Sequence, residues 1–268
     1  MPTILRKFHI INEAEHNRRG VYLWRYFDLH KFFSFLHNKE IRFTRMDEFE
    51  DPLEGIPLRA LVTFEEERDL ELIGDDKLSD LILDLTKFKK LSFEMQDRIK
   101  NIKAIQRSSF VSCWFLGKRE SMAMWNLYSN TDGVAVKVPA INLFRHFENS
   151  SENIFDQNVS SFYAGKVNYQ DFKTIDAEDE SAAVPKVALR KDVSYKHEEE
   201  FRFVIRTKKD DAEKDSFTSV IEDFSSLKMK VVCHPLMAEW KRNNIQQILN
   251  DASLSRAFTL SEIRLRKN

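Results

Sequence analysis

Residues 195–206 (YKHEEEFRFVIR) hold the densest set of groups able to do chemistry. Read as a strand, the side chains alternate: Phe201, Phe203 and Ile205 point one way, and Glu198, Glu200, Arg202 and Val204 the other. Two carboxylates and a guanidinium then share a face. Neighbouring carboxylates raise one another's pKa and an arginine lowers them, so the group can supply one acid and one base to a cleft. The alternative is the solvated polar face of a half-buried strand. Residues 110–128 (FVSCWFLGKRESMAMWNLY) place Ser112 and Trp114 on one strand face, with Trp125 and Tyr128 at i, i+3 on the helix that follows. That set can hold a ring and hydrogen-bond a sugar, or it can be a core helix filled by Met and Trp. The turn 51–55 (DPLEG) has two carboxylates, Asp51 and Glu54, flanking a rigid Pro, either as a metal or active-site loop or simply as an acidic turn. Arg25 lies among Tyr22, Trp24 and Tyr26 and must find a partner, a structural carboxylate or a ligand phosphate.

The elements that must position these groups follow from periodicity. Residues 21–27 read as a strand and Asp28 as an N-cap. Leu29, Phe32, Phe33 and Leu36 make 29–37 an amphipathic helix. Strands are expected at 41–44, 110–115, 134–138, 160–169, 198–206 and 228–233, with a last one at 263–266. Helices are expected at 121–128 and 237–250, the second packed on the sheet through Met237, Trp240, Ile245, Ile248 and Leu249. Residues 60–107, charged and glycine-poor, read as a helical insertion, and 172–184 and 207–225 as polar connectors. Strands and helices mix without regular alternation. The expectation is therefore one α+β domain over 1–268: a short N-terminal segment (1–20) and a central mixed or antiparallel sheet flanked by helices.

Composition narrows the function classes. The 42 Lys+Arg against 43 Asp+Glu leave a formal charge of -1, so nothing global draws the chain to nucleic acid or anionic membrane. Only 6 glycines occur, none spaced as G-x-G-x-x-G or G-x-x-x-x-G-K-[ST], which argues against dinucleotide and P-loop folds that rely on those fingerprints. The seven histidines form no H-x-x-x-H pair, and Cys113 and Cys233 have no metal spacing, so no metal is expected. With no apolar run of membrane length and no signal-peptide core, the expected location is a reducing cytoplasm without membrane contact. The 22 Phe, 4 Trp and 6 Tyr make either a Phe-rich core or a stacking site.

The order of the blocks carries a resemblance. YLWRYF, EDPLEG, FVSCW followed by MAMWNLYSNTDGVAVKV, GKVNY and YKHEEEFR together resemble the bacterial domain of unknown function 2971 family over about residues 21–266. In that family the blocks are a Tyr/Arg-bearing strand, an Asn-Asp-Pro-Phe-Glu turn, a Ser-Cys-Phe strand with a Met-Trp-x-x-Tyr helix, and a Trp-x-x-Glu-x-Glu-x-Arg strand. Glu50, Leu53, Asn126-Leu127 and Tyr195 depart from that pattern, whereas Arg25, Asp51, Glu54, Glu198, Glu200 and Arg202 remain. The family name implies no activity. By a further analogy, arginine on an early strand, serine on a middle strand and Glu-x-Glu on a late strand resemble the Arg-Ser-Glu arrangement of mono-ADP-ribosyltransferases. That analogy implies NAD as substrate. Arg25 would sit on the pyrophosphate and Ser112 at the nicotinamide ribose; Tyr22, Trp125, Tyr128 and Arg202 would line the site. Glu200 would stabilise the oxocarbenium-like centre and Glu198 orient a protein or nucleic-acid acceptor. Two other readings stay open: a metal-dependent nuclease or phosphoesterase using Asp51, Glu54, Glu198 and Glu200, and a non-enzymatic ligand-binding module with a structural ion network.

Overall fold

Aromatic and β-branched runs favour the pleated backbone, and they supply the strands of this computed structural model, which describes residues 8–11, 20–57, 60, 61, 64, 84, 91–154, 158–172, 184–208 and 215–264. In chain order come β1 (His9–Ile10), β2 (Tyr22–Phe27), α1 (Leu29–Asn38) and β3 (Glu40–Arg45), then α2 (Phe93–Arg107), β4 (Ser109–Leu116), α3 (Met122–Tyr128) and β5 (Val134–Pro139). Next are α4 (Ala140–Ile154), β6 (Val159–Lys166), β7 (Asn168–Gln170), β8 (Arg190–Asp192), β9 (Glu200–Thr207), β10 (Ser216–Val220), α5 (Phe224–Leu227), β11 (Lys230–Cys233), α6 (Glu239–Asp251) and β12 (Phe258–Thr259). Asp28 is the N-cap expected of it, and two serines cap further helices. Asp28 accepts from the Lys31 amide at 2.8 Å, and the Ser92 and Ser121 hydroxyls cap α2 and α3.

One large mixed sheet runs β1-β6-β9-β4-β2-β5-β11-β12, with β3 bonded to β4 and β10 to β3. β1 is parallel to β6 and β12 to β11; the pairs between them are antiparallel. The edge of β4 is forked. Its Phe115 and Leu116 pair with Trp24 and Leu23 of β2, while Phe110 and Val111 pair with Arg45 and Thr44 of β3. Between the prongs, Ser112 to Trp114 have no strand neighbour on that side among the described residues.

The two faces differ. One carries the main core, in which Phe201, Phe203 and Ile205 of β9 meet Phe110 and Trp114 of β4, Leu23 and Phe27 of β2, and apolar residues of α1, α4, α5 and α6. Rings crowd there: Phe147 lies 4.4 Å from Phe203 and 5.5 Å from Phe162 between centroids. The opposite face holds Trp24, Tyr26 and Phe115 under α3, and Val111, Val204 and Tyr163 under Met46, Ala188 and Leu189. Each buried aromatic side chain is worth about 2–3 kcal/mol of transfer free energy, so the phenylalanine excess is the core itself.

The α+β mixed sheet is as the sequence predicts, and several details differ. α4 occupies a stretch to which periodicity assigned no element, although Leu143, Phe144 and Phe147 recur on one buried face. The supposed connector 207–225 contains β10 and α5, whose Phe217 and Phe224 enter the core. Trp240 of α6 is not packed on the sheet but 63 % exposed. The last strand is Phe258–Thr259; Ile263 and Arg264 lie beyond it, and 265 and 266 fall outside the described residues. Of the insertion 60–107, α2 is helical as expected, and Leu78, Leu81, Ile82, Leu85 and Phe88 lie outside the described residues. Among the described residues no helix is long and apolar enough to cross a membrane.

Candidate active site

Glu200 and Arg202 project from β9 on the face opposite Phe201 and Phe203, as strand alternation demands. Glu198 is not part of that strand. It ends a 3₁₀ turn (Val193–Glu198), and Glu199 in the left-handed region (φ 39°) swings the chain into β9. The kink nevertheless brings the Glu198 carboxylate back beside Glu200. A third carboxylate arrives from the turn 51–55: Gln106 of α2 donates to the Pro52 and Glu54 carbonyls at 2.9 and 2.7 Å and fixes the turn. Gly55 closes it at φ +74°, where a Cβ would collide with the Met46 side chain.

The three acids converge on one ammonium. Lys191 Nζ, on β8, lies 2.8 Å from Glu54 Oε1, 2.5 Å from Glu198 Oε2 and 3.0 Å from Glu200 Oε1. Arg202, with no exposed surface, donates through Nε to Glu200 Oε2 at 2.8 Å and through Nη2 to Glu200 Oε1 at 3.1 Å. Its Nη2 also stands 2.7 Å from Glu54 Oε2, and Nη1 donates to the Ala188 carbonyl at 3.1 Å. Three tyrosines bound the cluster. Tyr128, 45 % exposed, donates to Glu198 Oε1 at 2.8 Å. Tyr169 Oη accepts from the Glu200 amide at 2.8 Å, and the Tyr195 ring lies 4.4 Å from Lys191 Nζ.

Three carboxylates against two cations leave one negative charge in surplus when all are ionised. The surplus falls on Glu198, raised to about 7 by burial and by the neighbouring Glu200, with Lys191 acting against the rise. Burial would raise Glu200 too, but Arg202 outweighs it and holds that carboxyl well below the ordinary range. Burial would lower Lys191 and Arg202, and the facing carboxylates override it and keep both cationic. Burial, and then Glu198, pushes the Tyr128 phenol up, so it stays a donor. Near neutrality the site thus contains one carboxyl able to gain or lose a proton, reached through a half-exposed phenol.

The remaining expected site residues lie elsewhere. Ser112 pairs with Phe203 across β4–β9 and is fully buried on the phenylalanine face, and Arg25 is bonded to it, Nη1 to Oγ at 3.1 Å. The sheet therefore separates Arg25 and Ser112 from Glu198 and Glu200, and the single cleft expected to join them does not form. Arg25 instead bridges the fork in β4: from the β2 prong it reaches Ser112 between the prongs and, at 3.5 Å, the Arg42 carbonyl on the β3 prong. Burial lowers its guanidinium to about 10. Trp125 is fully buried, its Nε1 donating to Glu120 at 2.9 Å and its ring edge-on to Tyr26, so it offers no ligand face. Tyr22 stacks with Lys137 Nζ at 4.1 Å, apart from the carboxylates. Asp51 is used by its own turn, accepting from the Leu53 amide at 2.9 Å.

Lys191 is the functional side chain that motif reading missed. Its signal was electrostatic: Glu54, Glu198 and Glu200 cannot be buried together with Arg202 as their only counter-charge. The point where an oxygen-ligated cation would sit among these acids is filled by the lysine ammonium. Residues 124–203 match the family model described as Protein of unknown function (DUF2971). The match spans Tyr128, Lys191, Glu198, Glu200 and Arg202 but not Glu54 or Arg25. No curated protein and no solved structure matches the chain.

Proposed function

We propose that this chain, whose residues 124–203 match the DUF2971 family model, is an enzyme that breaks a nucleotide N-glycosidic bond in the manner of ADP-ribosyl transfer, with Glu198 as its working carboxylate. One observation carries the reading: Glu198 is the member of the cluster whose proton is poised near neutrality, and its Oε1 partner is a half-exposed residue, Tyr128. Departure of nicotinamide from NAD takes the bonding electrons with it and leaves positive charge on the ribose, and an ionised carboxylate in a preorganised, partly dry site stabilises that charge. Glu198 suits the task, or that of accepting a proton from the incoming nucleophile.

Glu200 does not share that role, because both its oxygens are held by Arg202 and Lys191. It fixes Lys191, which in turn aims Glu198. Arg25 and Ser112 keep the forked sheet together and take no part. The reaction should accelerate as pH rises through about 7, where Glu198 ionises. The test is release of nicotinamide from NAD in the presence of protein and nucleic-acid acceptors. Glu198→Gln should lower it by about a hundredfold or more, and Arg25→Met should leave it within a few-fold. Absence of release by the wild-type chain with every acceptor overturns the proposal.

A second reading rests on the mutual ion pairing of Glu54, Lys191, Glu200 and Arg202: a ligand-binding module whose network is structural. Under it, Glu198→Gln costs stability, whereas removal of a working carboxylate is neutral or stabilising.

A further inference from the structure

The polar face of β9 continues past the ion cluster to Arg206, about 20 Å along the strand from Glu200. Arg206 is 9 % exposed. Its Nη2 donates to Ser108 Oγ at 3.1 Å, while its buried Nη1 has no hydrogen-bond partner. Tyr163, 3 % exposed, also has a buried hydroxyl without a partner. The register explains their proximity. Ser161 lies opposite Arg206 and Tyr163 opposite Val204, so Tyr163 and Arg206 are diagonal neighbours on one face of β6 and β9.

Charge separates Arg206 from Arg202 and Arg45. Arg202 faces Glu200 and Glu54, and Arg45 faces Asp47 and Glu48. No carboxylate pairs with Arg206 among the described residues. Burial lowers its guanidinium, with the nearby Tyr163 the opposing influence. A buried guanidinium without an anion is costly, and a phenol left undonated beside it adds to the cost. The two idle donors share one requirement, an acceptor bearing negative charge.

We propose that Arg206 Nη1 and Tyr163 Oη form a buried subsite for an oxyanion, a phosphoryl or carboxylate group of a small molecule. The guanidinium supplies charge and N–H donors, the phenol an O–H donor, and Ser108 holds the other guanidinium nitrogen so that Nη1 stays aimed. The site stands independently of the chemistry at Glu198.

The test is titration of the full chain with inorganic phosphate and, separately, acetate, at constant ionic strength, read by calorimetry and by melting temperature. Saturable binding of either anion is expected. Arg206→Met should weaken it about tenfold or more, and Tyr163→Phe about threefold to tenfold. Tighter phosphate than acetate identifies a phosphoryl ligand, and the reverse a carboxylate; both support the subsite. No saturable binding of either anion, or affinity unchanged in both variants, overturns it. Should Arg206→Met not fold, Tyr163→Phe decides alone, since it removes only a hydroxyl.

Discussion

Glu200→Gln and Glu198→Gln remove the same charge from adjacent positions, and the geometry predicts opposite consequences. Glu200 accepts twice from Arg202, which has no exposed surface. Removing one partner of a buried pair costs about 3–5 kcal/mol, and Glu54, still 2.7 Å from Arg202 Nη2, places the expectation near the lower end, about 3 kcal/mol. At about 2–4 °C per kcal/mol for a chain of this size, Glu200→Gln should melt about 6–12 °C lower. Glu198 carries the surplus charge. Its carboxyl moves from 4.5 to about 7 on folding, so the folded state holds that proton more tightly than the unfolded one. The stability so contributed is complete below about 4.5 and lost as pH rises through about 7. The full loss is at most about 3 kcal/mol, and about half of that after screening at the solvent front by Tyr128. Glu200 has the opposite sign, since its depressed carboxyl stabilises the fold above the ordinary range and ceases to as pH falls below it. Glu198→Gln should therefore equal or exceed the wild type in stability at pH 8 and lose that advantage at pH 5. Urea unfolding of the three proteins at both pH values is the assay. The reasoning fails if Glu200→Gln proves as harmless as Glu198→Gln at pH 8, or if Glu198→Gln costs more than about 2 kcal/mol there.

Arg25→Met should cost about 1–3 kcal/mol, because Ser112 and the Arg42 carbonyl lose their bridge across the fork in β4; chemical denaturation measures it, and a gain in stability would contradict the bridging role. Gly55→Ala should cost about 1–3 kcal/mol from the positive φ and the collision with Met46. It should also loosen Glu54 from Lys191, leave that ammonium more fully to Glu198 and so reduce the pH dependence of the melt, which a series of melts from pH 5 to 8 would record.

Most strands and the capped helices were legible because their signals are local. Asp28 announces a helix start, and YLWRYF reads as a strand in isolation. Glu200 and Arg202 as neighbours on one face followed from alternation alone. The true relation of Arg25 and Ser112 to that face did not, because parity between distant strands depends on register, and one residue of shift exchanges the faces. Ser112 pairs with Phe203 and Cys113 with Arg202, a difference invisible until β4 is laid against β9. Lys191 was hidden for a related reason. Its neighbours Arg190 and Asp192 give it the look of a solvated run, and only the convergence of three acids from separate elements marks it as buried.

The ion cluster joins pieces that the chain delivers at very different times during synthesis. Glu54 emerges long before Lys191, and β9 is needed to present Glu200 and Arg202. Until that last piece arrives, Glu54 has neither of its cationic partners, and the turn that bears it is held by Gln106 of α2. The backbone of the early turn thus rests on a neighbouring helix, whereas its carboxylate is neutralised only by residues more than 130 positions later in the chain.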